Sequence, residues 1–189
     1  MILLSHNLNK STPEYANGDS LKIFSICSMS NDDSCNKMGL SLDLYTGTHE
    51  DFSRHFCNKC ASFDEMDNHG IFSFLQWKLL DIEVEPRCLI YDLGLKNLDI
   101  DYEVTLLLIR SGWESKRTER ENYALNGQGL HAELAVKLLR KFPNLLAIGF
   151  DFISLTSHAH RENGRIAHKK FLCNKGLIII EDVKIADFN

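Results

Sequence analysis

Apolar and polar residues fall into runs of strand length along most of this chain. Leu21 to Ile26 alternates imperfectly and Leu40 to Leu44 alternates cleanly, as a half-buried strand does. Cys88 to Leu93, Val104 to Ile109, Leu145 to Phe150 and Leu177 to Ile180 are apolar runs of the kind found in buried strands. In His131 to Phe142, the residues Leu134, Ala135, Leu138, Leu139 and Phe142 recur at helical spacing, with Lys137, Arg140 and Lys141 elsewhere, and Pro143 ends the segment. Ile166 to Cys173 carries a weaker helical pattern, and the polar stretches 9–20, 31–37 and 115–126 read as loops. Strands interleaved with few helices predict a mixed α/β or α+β domain.

Composition keeps that picture and removes several alternatives. Of 189 residues, 44% are hydrophobic and 25% charged, which supports a core and excludes a mainly disordered chain. No linker, repeat or low-complexity tract divides the chain, so residues 1–189 are expected to form one domain. Twenty-six acidic residues against 21 basic ones leave a formal charge of −5, so no nucleic-acid partner is expected. The apolar start Met1-Ile2-Leu3-Leu4 is too short for a signal peptide, and no run approaches the roughly 20 residues that span a bilayer. A cytoplasmic protein with no membrane partner is expected, its six cysteines being too sparse for a disulfide scaffold and therefore thiols.

Candidate chemistry concentrates in two places. Tyr45-Thr46-Gly47-Thr48-His49-Glu50-Asp51-Phe52-Ser53-Arg54-His55-Phe56 follows the alternating strand at once, at a strand end where functional loops lie. Residues two apart in an extended segment point the same way, so His49 and Asp51 can converge on one ion. His55 reaches the same place if the chain turns. Imidazole and carboxylate together suit zinc, manganese or iron, because borderline metals accept nitrogen and oxygen donors. Near the other end come His158, His160 and Glu162, then His168, then Glu181 at the close of an apolar strand, where a buried carboxylate needs a partner or a metal. On spacing alone, a solvated polar loop around His49 and a solvent-facing Glu181 beside Asp182 are the alternatives. Cys57-Asn58-Lys59-Cys60 has zinc-knuckle or redox spacing, but no second C-x-x-C completes four ligands, so an incidental thiol pair is the expectation. His6 and His69 have no partner in sequence, His131 opens the amphipathic helix, and Trp77 and Trp113 suit core or pocket wall.

Together the two clusters carry a family resemblance. Thr46-Gly47-Thr48-His49 through Asp51 to His55-Phe56 resembles the H-x-G-T-H-x-D-x-P-x-H motif of the cyclase family of metal-dependent hydrolases, which includes bacterial kynurenine formamidase (arylformamidase) and isatin hydrolase. Leu4-Ser5-His6 is similar to the family's D-L-S-H, and Thr12-Pro13-Glu14-Tyr15 with Gly18-Asp19 to its T-P-x-Y-P-G-D. Ser62 to Met66 resembles S-I-D-E-L, Leu107 to Trp113 resembles L-L-I-R-T-G-W, and Ile148 to Asp151 resembles I-G-I-D. His168 to Glu181 is similar to the family's A-H-R … I-I-E-N ending. The likeness runs through nearly the whole chain in order. It implies an α/β fold, a single mixed-sheet domain of the cyclase (swivelling β/β/α-like) type. It also implies His49, Asp51, His168 and Glu181 as metal ligands, with Asp51 and Glu181 able to bridge two ions, and His55 as the catalytic acid/base. Zinc is the implied cofactor, with manganese as the alternative. The implied substrate is a small molecule, a formamide or lactam cleaved in arylformamidase-like fashion by metal-activated water, and the implied assembly is a homodimer or higher homo-oligomer.

Three departures alter that expectation. Tyr45 stands where the family has its first motif histidine, and a phenol with a pKa near 10 ligates poorly. One firmly bound ion is therefore expected rather than two, with Tyr45 facing the site as a weak ligand or a hydrogen-bond donor to substrate; the alternative is a phenol turned into the core. Ser53 replaces the motif's proline, which predicts a looser turn before His55. The thirteen-residue spacing from His168 to Glu181 matches a branch with H-R-E-x-G-x-x-A-H-R-x-F-L, to which His160 to Leu172 is similar. Against a metal-dependent amidohydrolase stand a non-catalytic cyclase-fold protein, retaining at most one metal and acting in binding or assembly, and a thiol module at Cys57 and Cys60.

Overall fold

The computed structural model describes residues 3–17, 21–66, 76–173 and 176–188. Its centre is a five-stranded sheet in which β3 (His49–Asp51), β9 (Ile178–Glu181), β8 (Ala147–Phe150), β6 (Leu106–Arg110) and β4 (Trp77–Asp81) lie side by side in that order. The last four are mutually parallel, and β3 runs antiparallel to β9. Parallel strands need crossovers that cover the sheet, so both faces of the inner strands are buried and those strands are largely apolar. Leu107, Ile109, Ile148, Phe150 and Ile179 point into the larger core, under α2 (Arg120–Asn126), α3 (Leu134–Lys141) and α4 (Arg161–His168). Leu106, Leu108, Ala147 and Ile178 point the other way, where Val183, Ile185 and Phe188 of the C-terminal tail cover them. A small parallel pair, β5 (Leu89–Ile90) with β7 (Gly129–Leu130), and the short helix α1 (Phe63–Met66) complete the named elements beyond the N-terminal hairpin. The mixed α/β architecture with a central mixed sheet is the one expected.

Several local expectations change. Leu40 to Leu44 was expected to be half buried, but β1 (Lys22–Cys27) and β2 (Lys37–Ser41) form a hairpin whose Phe24, Ile26, Met38 and Leu40 are exposed. Alternation assigns side chains to opposite faces of a strand but does not say what covers either face. Residues 115–126, read as a loop, contain α2, whose Tyr123 and Ala124 are buried. The weak helix sits earlier than its pattern suggested: α4 ends at His168 and a π-helical turn follows over Lys169–Cys173. Strand β4 escaped notice because its outer position leaves it mixed in character, Trp77 being half exposed against Phe188 and Asp81 paired to Arg110 at 2.5 Å. Cys57 and Cys60 are joined in a disulfide, contrary to the thiols expected, because the Cys60 amide donates to the Cys57 carbonyl (3.0 Å) and folds the loop back on itself. The other four cysteines are free. No helix among the described residues is long and apolar enough to cross a membrane.

Helix α4 approaches the loop after β8 closely enough that a Cβ on Gly164 would run into the Thr156 side chain. Thr156 is itself buried and bonded to His168, so it has little room to yield. Gly164→Ala should therefore destabilise the fold by about 1–3 kcal/mol through overpacking. At about 2–4 °C per kcal/mol for a chain of this size, calorimetry should show a midpoint several degrees lower. A midpoint unchanged within a degree would mean that the helix and the loop can separate freely.

Candidate metal centre

The register between β3 and β9 sets His49 opposite Glu181. Asp51, two residues on, shares the face of His49. Both residues of the pair lie at the C-terminal end of the parallel strands, the usual place for a site in a parallel sheet. Gly47 precedes the strand with φ 73, a conformation that favours glycine, and its carbonyl accepts the Nδ1–H of His49 at 2.9 Å. Helix α4 brings His168 to the same point from the other side, with Nδ1 held by the carbonyl of Gly164 (2.9 Å) and by the Thr156 hydroxyl (3.2 Å). Such bonds fix the tautomer and leave each Nε2 free to face inward.

What the two Nε2 atoms face is a pair of carboxylates. His49 Nε2 lies 3.8 Å from Asp51 Oδ1 and 3.5 Å from Glu181 Oε2. His168 Nε2 lies 3.5 Å from Asp51 Oδ2 and 3.6 Å from Glu181 Oε1. These separations exceed hydrogen-bond length. Two donors each about 2.0–2.1 Å from one tetrahedral ion stand roughly 3.3 Å apart, so the gaps are close to what a shared cation spans. His49 Nε2 is buried and makes no hydrogen bond, and Asp51 and Glu181 are 3% exposed. Two donor triads result, His49–Asp51–Glu181 and Asp51–His55–His168, with the atoms of each within 4.8 Å of one another and Asp51 common to both. The donor set fits a divalent metal ion.

His55 arrives on the short 3-10 turn Ser53–His55, and its Nε2 is 3.8 Å from Asp51 Oδ2. The looser turn expected from Ser53 is not found. Its hydroxyl donates to the Leu172 carbonyl at 2.8 Å, and its own carbonyl accepts the Cys57 amide at 3.0 Å, so hydrogen bonds replace the ring's rigidity. Phe56, next in the chain, stacks on His168 with centroids 4.7 Å apart. Tyr45 is half exposed and faces the site rather than the core. Its hydroxyl meets neither carboxylate but lies 3.0 Å from His55 Nδ1.

Sequence reasoning missed the supports behind these side chains. Glu181 Oε1 accepts from the Leu155 amide (2.7 Å) and the Ser154 hydroxyl (3.2 Å). Asp182, in the left-handed region at φ 52, is held by Arg117 at 2.8 Å and by the Tyr123 hydroxyl at 2.6 Å. Its carbonyl also accepts the Thr48 hydroxyl at 2.5 Å, tying the start of β3 to the end of β9. Only the position of residues 151–157 after an apolar strand hinted at any of this. The remaining histidines serve elsewhere: His6 faces Glu114 at 3.7 Å, His131 stacks on Tyr91, and His158 packs edge-on to Tyr15. Trp113 is core, its Nε1–H donating to the Tyr123 carbonyl. Gly18, Asp19 and His69 lie outside the described residues.

The site opens into a cavity of about 260 Å³, whose lining includes Tyr45, Asp51, His55, His168 and Glu181 together with Glu14, Tyr15, Arg161 and Arg165. Burial lowers the His55 pKa against the pull of Asp51, so the imidazole is neutral near pH 7. Burial raises Tyr45, with Asp51 and Asp43 adding to the effect, and the phenol keeps its proton. Burial alone would lower His168, but the carboxylates of Asp51 and Glu181 outweigh it and push the pKa up to about 10. In protein stripped of metal, that proton takes the place of a cation.

A folded pKa above the unfolded value of 6.5 adds stability that is complete below about pH 6.5 and is lost as pH rises through about 10. Chelator-treated protein should therefore lose unfolding free energy over that interval, at up to about 1.4 kcal/mol per pH unit. A divalent ion should flatten the decline by replacing the proton. Urea denaturation with and without zinc tests this, and a flat profile for the stripped protein would contradict it.

Residues 2–156 match the family model Cyclase. The matched stretch contains Tyr45 to Phe56 and stops short of His168 and Glu181. No curated protein matches the chain in sequence. Among solved structures, isatin hydrolase A from Labrenzia aggregata, bound to benzyl benzoate, is similar with a TM-score of 0.75 at 17% identity, over 98% of this chain and 81% of that one. A protein described as a potential metal-dependent hydrolase with cyclase activity gives 0.73 at 19% identity, over 98% and 82%. A protein from Bacillus stearothermophilus described as a predicted metal-dependent hydrolase gives 0.69 at 18%, over 98% and 83%. At these identities the structural likeness concerns the fold, while the family match covers most of the sequence: the chain belongs to the cyclase family.

Proposed function

We propose that the protein is a metal-dependent hydrolase that cleaves an amide-like C–N bond, in a formamide or lactam, in the manner of an arylformamidase. The observation that carries the reading is the convergence of His49, Asp51, His55, His168 and Glu181 beside a cavity, at separations that suit a shared cation better than hydrogen bonds. Imidazoles with two carboxylates favour zinc, with manganese next. A divalent ion held there would acidify water and polarise a carbonyl oxygen.

The protein's own groups handle the proton. His55 is neutral at working pH and its Nε2 faces the cluster, so it can take the proton that the attacking water gives up and deliver it to the departing nitrogen. For Nε2 to act as the base, Nδ1 must carry the hydrogen, and the Tyr45 oxygen at 3.0 Å accepts it. Tyr45 thus serves as a positioning residue for His55 rather than as a ligand. His49, Asp51 and Glu181 supply three donors for one firmly held ion, His168 standing within 3.6 Å of both carboxylates.

Metal analysis of the purified protein, together with an activity screen on N-formyl aromatic amines and cyclic amides, tests the reading. Chelation should abolish hydrolysis and zinc or manganese should restore it. His55→Ala should keep the metal content and lower turnover by about 10²-fold or more. If metal and activity fall together, His55 belongs to the second donor triad as a ligand. Tyr45→Phe should retain metal and lower kcat about tenfold with little change in KM, because it removes only the oxygen that sets the His55 tautomer. An unchanged kcat would show that His55 needs no such partner.

A further inference from the structure

We propose that Arg161 and Arg165 form an anion subsite in the same cavity as the metal cluster, further along α4 from His168, so that the substrate carries a carboxylate in addition to its scissile amide. The inference rests on the hydrolase reading for the identity of the second group, and on the following geometry for the first. Arg161, Arg165 and His168 lie at positions i, i+4 and i+7 of α4 and extending to its last residue, and all three line the cavity. Residues at those spacings share one helix face. At 1.5 Å per residue, the two arginines begin roughly 4.5 and 10 Å back along the axis from His168, about the length of a substituted aromatic ring.

Neither guanidinium pairs with a carboxylate among the described residues. The arginines nearby that support structure are committed, Arg117 to Asp182 at 2.8 Å and Arg120 to Glu14 at 3.7 Å. Glu14, which also lines the cavity, accepts the Leu21 amide at 3.2 Å as well. Beside it the Tyr15 hydroxyl is buried with Arg161 alongside as a donor and no acceptor for its own proton. Arg161 is also the first residue of its helix, where the helix dipole disfavours a positive charge. A residue placed against local preference beside a cavity points to a role outside the fold. The planar forks of two arginines suit a carboxylate by paired N–H donors.

The test compares kcat/KM for formanilide and for a ring-carboxylated N-formylaniline. The wild-type protein should prefer the carboxylated compound, and the preference should shrink as salt rises. In the double variant Arg161→Ala/Arg165→Ala the ratio of the two kcat/KM values should fall 30-fold or more, with KM carrying the loss. Arg161→Lys/Arg165→Lys should restore part of it. An unchanged ratio overturns the subsite even though hydrolysis continues. Should neither compound be hydrolysed, the hydrolase reading fails by itself, and calorimetry with benzoate decides the subsite separately. Binding weakened tenfold or more in the double alanine variant upholds it; equal binding to both proteins, or none to the wild type, overturns it. A thermal midpoint for each variant close to that of the wild type identifies the effect as local.

Discussion

Two carboxylates buried within reach of the same imidazoles are the constraint on which the site depends. Both side chains are buried and face the same pair of imidazoles, and buried charges need a partner of opposite sign. A proton on His168, which faces both carboxylates, answers that need in part, and a divalent ion held there would bring a second positive charge. The surrounding hydrogen bonds follow from this need. The Leu155 amide and the Ser154 hydroxyl take up one oxygen of Glu181, while the carbonyls of Gly47 and Gly164 turn the imidazoles inward. These supports come from three separate segments of the chain, so the geometry of the cluster is fixed by the tertiary fold.

The β3–β9 ladder is the part of that fold with least tolerance. It joins segments about 130 residues apart, and a slip of one residue would turn His49 and Asp51 to the opposite face. A three-residue strand has few ladder bonds to resist slipping. Register is instead locked at its end by Thr48, whose hydroxyl donates to the Asp182 carbonyl, and by Arg117 and Tyr123, which hold Asp182 in a conformation unfavourable for a residue with a Cβ. The buried Arg117–Asp182–Tyr123 network thus does for the register what strand length cannot.

The legible parts of the sequence were those governed by short-range pattern or by motif. The buried strands Leu106–Arg110, Ala147–Phe150 and Ile178–Glu181 stood out because burial on both faces makes them continuously apolar. The ligand types stood out because imidazole and carboxylate are uncommon at such spacing, and the family likeness joined clusters that periodicity could not connect. Three things stayed hidden for physical reasons. The cover over a strand is a tertiary property, so alternation in Leu40 to Leu44 could not tell an exposed hairpin from a half-buried edge. Helix α2 is seven residues long and polar outside its two buried positions, too short for a periodic signal. The supports at Ser154, Leu155 and Gly164 act largely through backbone groups, which every residue type supplies equally.

Tyr45 shows how a motif can change one member and keep its geometry. A phenol in place of the first imidazole loses a nitrogen donor, and burial beside Asp51 makes a phenolate ligand still less favourable. The ring nevertheless stays among the same neighbours, 4.8 Å from His55 and edge-on to His49 at 5.7 Å. The hydroxyl extends beyond the point an imidazole nitrogen would occupy and reaches His55 Nδ1 instead of the carboxylates. On the proposed reading, a position that elsewhere helps to hold an ion here governs which nitrogen of the acid/base carries its hydrogen. The Ser53 substitution works in the same direction, since its hydroxyl bond to Leu172 anchors the turn that presents His55. Both departures from the family pattern act on one histidine, and both leave its Nε2 oriented toward the cluster, 3.8 Å from Asp51.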